Sequence, residues 1–296
     1  MVSGKKSNLK GGIMNLEGIN MKAINQYFVL NNGVKMPKIG LGTWQVKDGD
    51  EAYHSVLMAL ENGYRHIDTA EGYQNEASVG RAIRDSKIKR EEIFVTSKLE
   101  SHIKTYEGAI EAFSKTLEAL GFDYLDLFLI HAPWPWSEMG KDCKEGNVLA
   151  YKAMEDLYKQ KKIRAIGISN FNKEDIDNIL THCEITPQVN QIAYFIGMDQ
   201  KETIEHCRKH NITVEAYSPL GIGYLLTNET IIEMAKKYNV SPAQICIRYC
   251  LEKDTAPLPK STHLDRIIMN KEVDFTIKPE DMAVLDTIKG DPRRWD

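Results

Sequence analysis

The chain lacks the features that announce most enzyme classes. Its 296 residues hold five cysteines, Cys143, Cys183, Cys207, Cys246 and Cys250. They are scattered, odd in number and never spaced CxxC, so a disulfide framework is excluded and a reducing, cytoplasmic setting fits. The eight histidines are read as lacking HExxH and any other ligand spacing, so no metal is expected. No Gly-x-Ser-x-Gly turn is present to hold a nucleophilic serine, which sets acyl transfer aside. No Gly-x-Gly-x-x-Gly follows a strand, and Gly40-x-Gly42 is a fragment with nothing to continue it. No apolar run approaches the ~20 residues of a membrane span, and the start of the chain has no signal-peptide core. Charge of one sign is also missing. Lys plus Arg total 38 against 42 Asp plus Glu, a formal net charge of −4, which offers nothing for nucleic acid or an anionic membrane to hold. No exposed apolar stripe stands out, so a monomer is expected.

What is present is a hydrophobic content of 42% and a regular beat. Residues 1–21 are rich in Gly, Lys, Ser and Asn and are read as a flexible extension, with a single domain over 22–296. Tyr27–Leu30, Asn31-Asn32-Gly33 and Val34–Met36 form a β-hairpin signal, because Asn-Gly supplies the positive φ of a tight turn. Strands are then expected at 39–44, 65–68, 93–98, 124–131, 163–169, 188–191, 213–218 and 255–259. Helices are expected at 51–61, 77–86, 106–120, 147–159, 173–181, 201–210 and 241–252. Gly63 fits a helix C-terminus, while Asp175 and Ser241-Pro242 fit helix starts. The strands are short and nearly all apolar, as strands covered on both faces are. Eight alternating units argue for an α/β fold of the (β/α)8 TIM-barrel type with an N-terminal hairpin. An open doubly wound sheet is the alternative.

The polar residues fall in a pattern. Apolar runs end in Asp68, in Thr96-Ser97-Lys98, in His131, in Ser169-Asn170, in Asn190-Gln191, in Tyr217-Ser218 and in Lys260-Ser261. A single Lys or His after a strand is an ordinary loop residue reaching solvent. So many ends in register, in a barrel, converge on one mouth. Trp44 could equally be plain barrel core. Tyr73, a few residues beyond Asp68, is a possible proton donor. A neighbouring ammonium, Lys98, would lower its pKa, and a carboxylate would fix the lysine. With His131 the set suits proton transfer at a carbonyl or hydroxyl oxygen. No side chain carries hydride, so a nicotinamide is the natural supplier. Lys260-Ser261-Thr262 and Arg266 suit a phosphate, although a basic helix start facing water reads the same way.

Strings along the chain resemble the aldo-keto reductases over residues 26–295, in particular the microbial 2,5-diketogluconate, glyoxal and methylglyoxal reductase type. They are Gly63–Ala70, Tyr73-x-Asn75-Glu76, Thr96-Ser97-Lys98, Leu129-Ile130-His131, Arg164–Phe171, Gln188–Gln191, Ala216–Gly221 and Pro259-Lys260-Ser261 with Arg266-Ile267 and Asn270. The resemblance implies an NADPH-dependent carbonyl reductase with a small-molecule carbonyl substrate. It makes Tyr73 the proton donor, Lys98 and Asp68 its tuning groups, and His131 the group that orients the carbonyl. It places Tyr217 on the nicotinamide ring and Ser169, Asn170 and Gln191 on the carboxamide. Ser218, Leu220, Lys260, Ser261, Thr262, Arg266 and Asn270 would hold the phosphates and adenosine, with Thr43, Trp44 and Asp68 also beside the cofactor. Trp44 and Trp134 would line the substrate pocket with Tyr73 and His131. Ala132 stands where many members have tryptophan, and Met269 where a glutamate contacts adenine. The latter predicts weaker cofactor affinity or better tolerance of NADH. Relatives that act as channel β-subunits keep NADPH for regulation, so an NADPH-binding regulatory protein on the same fold is the alternative.

Overall fold

In a computed structural model, residues 21–290 are described. The extension expected over residues 1–21 lies, apart from Met21, outside them. Strands β1 (Tyr27–Val29) and β2 (Lys35–Pro37) pair antiparallel, and Gly33 takes φ 85° in the turn, where a side chain would be strained.

The rest alternates. It runs β3 (Leu41–Gly42), α1 (Asp50–Glu61), β4 (His66–Asp68), α2 (Glu76–Asp85), β5 (Phe94–Leu99), α3 (Tyr106–Leu120), β6 (Leu125–Ile130), α4 (Lys144–Lys159) and β7 (Ile163–Ser169). It continues α5 (Lys173–His182), β8 (Val189–Ala193), α6 (Lys201–Lys209), β9 (Thr213–Tyr217), α7 (Glu229–Tyr238), α8 (Pro242–Glu252), β10 (Ala256–Leu258), α9 (Leu264–Lys271) and α10 (Pro279–Leu285). Strands β3 to β10 form one eight-stranded parallel sheet in sequence order. Its edges meet through Gly40 N to Pro257 O at 3.2 Å and Gly42 N to Pro259 O at 3.1 Å. A Cβ at Gly40 would come within 2.6 Å of the Leu258 side chain and 2.9 Å of the His66 ring, so this close approach requires glycine. The barrel expected from the sequence is the fold found.

Several boundaries differ. Asn172, not Asp175, caps α5; Asp175 answers from the third helical position in a capping box, which satisfies two free amides at once. Ser241 caps α8 with Pro242 in its first turn. Gly63 lies just past the α1 cap residue Asn62 at φ 96°. Helix α4 starts three residues early, β3 shrinks to Leu41–Gly42, α9 is the helix start expected after Lys260-Ser261, and α7 and α10 were not anticipated.

Side chains alternate along a strand. Phe94, Thr96 and Lys98 therefore share a face, as do His66 and Asp68, Val189 and Gln191, and Thr213, Glu215 and Tyr217. At the bottom of the barrel Phe94, Leu127, Leu129, Ala165, Val189 and Ala256 pack with Leu30 and Met36 of the hairpin. Full burial of such a Leu or Met contributes ~1.5–3 kcal/mol. Asn31 Nδ2 and Asn32 Nδ2 fasten the hairpin turn to Pro187 O and Arg164 O, each at 2.9 Å. No helix among the described residues is long and apolar enough to cross a membrane.

Candidate active site

Four groups meet at the upper rim. Asp68 ends β4, Tyr73 closes the 3-10 turn Glu71–Tyr73, Lys98 stands near the end of β5 and His131 directly follows β6. Lys98 Nζ donates to Asp68 Oδ1 at 2.8 Å, to Thr69 O at 2.9 Å and to Tyr73 OH at 3.2 Å. The ammonium thus uses its three protons on three acceptors and is fully buried. The Tyr73 ring lies edge-on to His131 at 5.6 Å. Asn75 pins the loop between: it accepts from Thr69 Oγ1 at 2.7 Å and donates to Thr43 O and Val46 O, both at 3.0 Å.

Burial pushes the Tyr73 phenol up, and Lys98 offsets this only in part. The sequence-based expectation that Lys98 lowers this pKa is right in sign for the pair, but desolvation wins overall. The phenol therefore keeps its proton at neutral pH. Burial opposes the Lys98 charge, yet Asp68 and Tyr73 outweigh it and the ammonium is held up. Burial, then Lys98, pushes His131 down to about 3, so its ring is neutral.

Beneath the rim lies a second polar layer, of which the sequence reading singled out only Gln191. Gln191 Nε2 donates to Asp68 Oδ2 at 2.8 Å and to Glu215 Oε2 at 2.9 Å. His66 Nε2 is 3.4 Å from Glu215 Oε1 and 3.2 Å from Thr96 Oγ1. Burial, then Asp68, pushes Glu215 up to about 8, and burial pushes His66 down to about 4. Both shifts favour the neutral forms, and a protonated Glu215 can donate toward His66. A lone carboxylate inside the apolar run 212–216 was the signal that could have found it.

A cavity of ≈ 690 Å³ opens over these groups, within the usual range for ligand sites. Its wall carries Asp68, Tyr73 and His131 from the rim and Ser169, Asn170 and Gln191 from β7 and β8. Tyr217, Ser218, Leu220, Lys260, Arg266 and Trp44 also line it. Tyr217 OH donates to Asn170 Oδ1 at 2.8 Å, and Asn170 Nδ2 holds His131 O at 3.0 Å. Asn170 and Ser218 sit at φ 62° and 52°, left-handed positions that tight strand-to-loop turns at such sites adopt. Ile222, Gly223 and Leu226 of the 3-10 segment Gly221–Thr227 also reach the wall.

Thr43, Ser261, Thr262 and Asn270 are not on this wall. Thr43 Oγ1 donates to Asp68 O at 2.9 Å, and Ser261 Oγ accepts from His263 N at 3.1 Å. Trp134 is likewise absent from the wall. Trp136 takes that place, edge-on to His131 at 5.7 Å, with Trp134 edge-on behind it at 4.9 Å.

Comparison with known proteins identifies the family. A sequence profile of the Aldo/keto reductase family matches residues 38–289. Glyoxal reductase of Bacillus subtilis is 44% identical over 265 residues, covering 89% of this chain and 93% of that one. The crystal structure of MGS-M4, an aldo-keto reductase from a Medee basin deep-sea metagenome library, matches with a TM-score of 0.83 at 42% identity, covering 89% and 95% of the two chains. A Bombyx mori aldo-keto reductase solved in complex with NADP matches with a TM-score of 0.80 at 32% identity, covering 88% and 92%. With the profile spanning most of its length, this chain belongs to the aldo/keto reductase family.

Proposed function

We propose that the protein reduces small aldehydes and ketones to alcohols with NADPH, and that Tyr73 gives the proton. The observation that carries this is one ammonium, Lys98 Nζ, shared between Asp68 Oδ1 at 2.8 Å and Tyr73 OH at 3.2 Å on a cavity floor. The wall has the donor set the cofactor needs. Lys260 and Arg266 line it with no acidic partner among the described residues, and α9 begins beside them with no side-chain cap on its free amides. Both features suit phosphate, and paired cations suit the extra 2′-phosphate. Gln191 has its amide nitrogen on Asp68 and Glu215, which leaves Oε1 for a carboxamide N–H.

NADPH, when bound, supplies the hydride that the carbonyl carbon receives. Tyr73 transfers its phenolic proton to the carbonyl oxygen as that oxygen gains charge. Lys98 stabilises the resulting phenolate, and Asp68 keeps Lys98 charged and in place. Neutral His131 donates to the same oxygen, which polarises the carbonyl. Trp44 and Trp136 cover the substrate side. The reading includes a monomer in the reducing cytoplasm. Five free cysteines support the reducing setting.

The test is NADPH oxidation with methylglyoxal and a nitrobenzaldehyde. Tyr73→Phe should lose ~10²–10⁴ of the turnover and still bind NADPH by fluorescence. Full turnover in that variant overturns the assignment. Joint Lys260→Ala and Arg266→Ala should raise KM for NADPH far more than for NADH; an unchanged ratio places the 2′-phosphate elsewhere.

A further inference from the structure

Away from the cavity, α5 and α6 lie side by side on the outer layer. His206 sits on α6 and His210 directly follows it. Residues four apart on a helix share a face, and the two rings lie 4.7 Å apart, tilted by 58°. Asp177 of α5 reaches across, with Oδ1 2.7 Å from His206 Nε2. One donor atom from each of Asp177, His206 and His210 lies within 4.8 Å of the other two. The spacing His206-x-x-x-His210 is a ligand spacing, which corrects the sequence-based expectation that the histidines offer none.

We propose that Asp177, His206 and His210 form a site for a divalent transition-metal ion, Zn²⁺ in chemical type. Two imidazoles and one carboxylate select Zn²⁺, Co²⁺ or Ni²⁺ over Mg²⁺ and Ca²⁺, which want oxygen ligands. At ordinary zinc bond lengths the ligand atoms of a tetrahedral ion stand ~3.3 Å apart. Donors already within 4.8 Å need only side-chain rotation to close that gap. The Asp177 side chain is 48% exposed, so one coordination position faces water, and an ion can enter from solvent. The His206 side chain is 8% exposed, so the anchoring ligand is held by packing. The ion would replace the Asp177–His206 hydrogen bond with a three-point tie between helices that share no other ion pair among the described residues. Cys207, next to His206, takes a contact from Asn190 Nδ2 at 3.6 Å, and Asn190 precedes Gln191. The tie therefore steadies the strand that carries Gln191 without touching the cavity.

The experiment uses the full chain, stripped with a chelator and dialysed. Zn²⁺ is titrated by calorimetry, and Co²⁺ by its visible absorption. One equivalent should bind, Co²⁺ should give the intense band of tetrahedral coordination, and added Zn²⁺ should raise Tm. Two variants locate the ion. His210→Ala removes a partly buried ligand. Asp177→Asn keeps the hydrogen bond to His206 and the shape, but removes the charge. Each should weaken Zn²⁺ by at least the ~10–100-fold that changes around a metal site cost, abolish the Tm rise, and leave the carbonyl-reduction kcat at its original value. That kcat also shows that the variants fold. Absence of stoichiometric binding overturns the proposal, as does Zn²⁺ binding that both folded variants retain in full.

Discussion

The two ends of one barrel are built on opposite principles. At the bottom, Leu30 and Met36 of the hairpin close the interior against Phe94, Leu127, Leu129 and Val189, with apolar groups throughout. At the top the interior face carries Asp68, Lys98 and Gln191, with Glu215 and His66 in the layer beneath them, all buried. Strand β5 shows the change in one element, since Phe94 packs below, Thr96 lies between and Lys98 is charged above. An apolar plug contributes directly to stability. A buried ion pair roughly breaks even with apolar replacements, and breaking it by removing one partner is costly. The bottom therefore holds the barrel closed, while the top maintains charges that only chemistry requires.

The largest effect that tests this contrast is Lys98→Met. The variant leaves Asp68 buried and without its cation, a loss of ~3–5 kcal/mol in stability. It should also cost ~10²–10⁴ in kcat, because the Tyr73 phenolate loses its stabilising charge. Joint Lys98→Met and Asp68→Leu should recover much of the stability and none of the turnover, read by denaturant unfolding beside the NADPH assay. Recovery of turnover in the double variant would break the division between the two ends.

The mirror experiment sits at the bottom. Leu30→Ala opens a cavity under Phe94 and Leu127 and should cost ~2–5 kcal/mol. Turnover per folded molecule should stay within a factor of two, because no polar group of the rim moves. A fall in kcat larger than that, measured well below Tm, would show that the plug positions the catalytic end as well.

The legible part of the sequence was whatever obeyed a period. Helix 106–120 is read to the residue, because Thr105 and Gly121 cap both ends and the apolar spacing is regular. The hairpin follows from Asn32-Gly33. Helix α7 escaped because it and α8 both lie between β9 and β10, which breaks the beat of one helix per strand. The four rim groups came from strand ends and from the resemblance together. Trp134 and Trp136, separated by one proline, could not be told apart, because the turn of the loop decides which ring faces His131. Glu215 was passed over for a different reason. It lies inside β9 and not at its end, and the polar groups of the rim were sought at strand ends.

Glu215 also gives the smallest and sharpest test. Burial raises its folded pKa to about 8, against an ordinary 4.5. Between these values the folded chain binds a proton that the unfolded chain has released. A raised value of this kind contributes stability that is full below about 4.5 and is lost as the pH climbs through about 8. His66 runs the other way: its pKa, lowered from 6.5 to about 4, gives stability present above 6.5 and lost as the pH falls through 4. Glu215→Gln imitates the protonated acid, since its amide can still accept from Gln191 and donate toward His66. The variant should match the parent near pH 5 and overtake it as the pH rises to 8, by at most ~1.4 kcal/mol per pH unit. The measurement is Tm against pH for both chains. Parallel curves would mean that Glu215 is ionised throughout, and that the barrel interior tolerates two carboxylates on one amide.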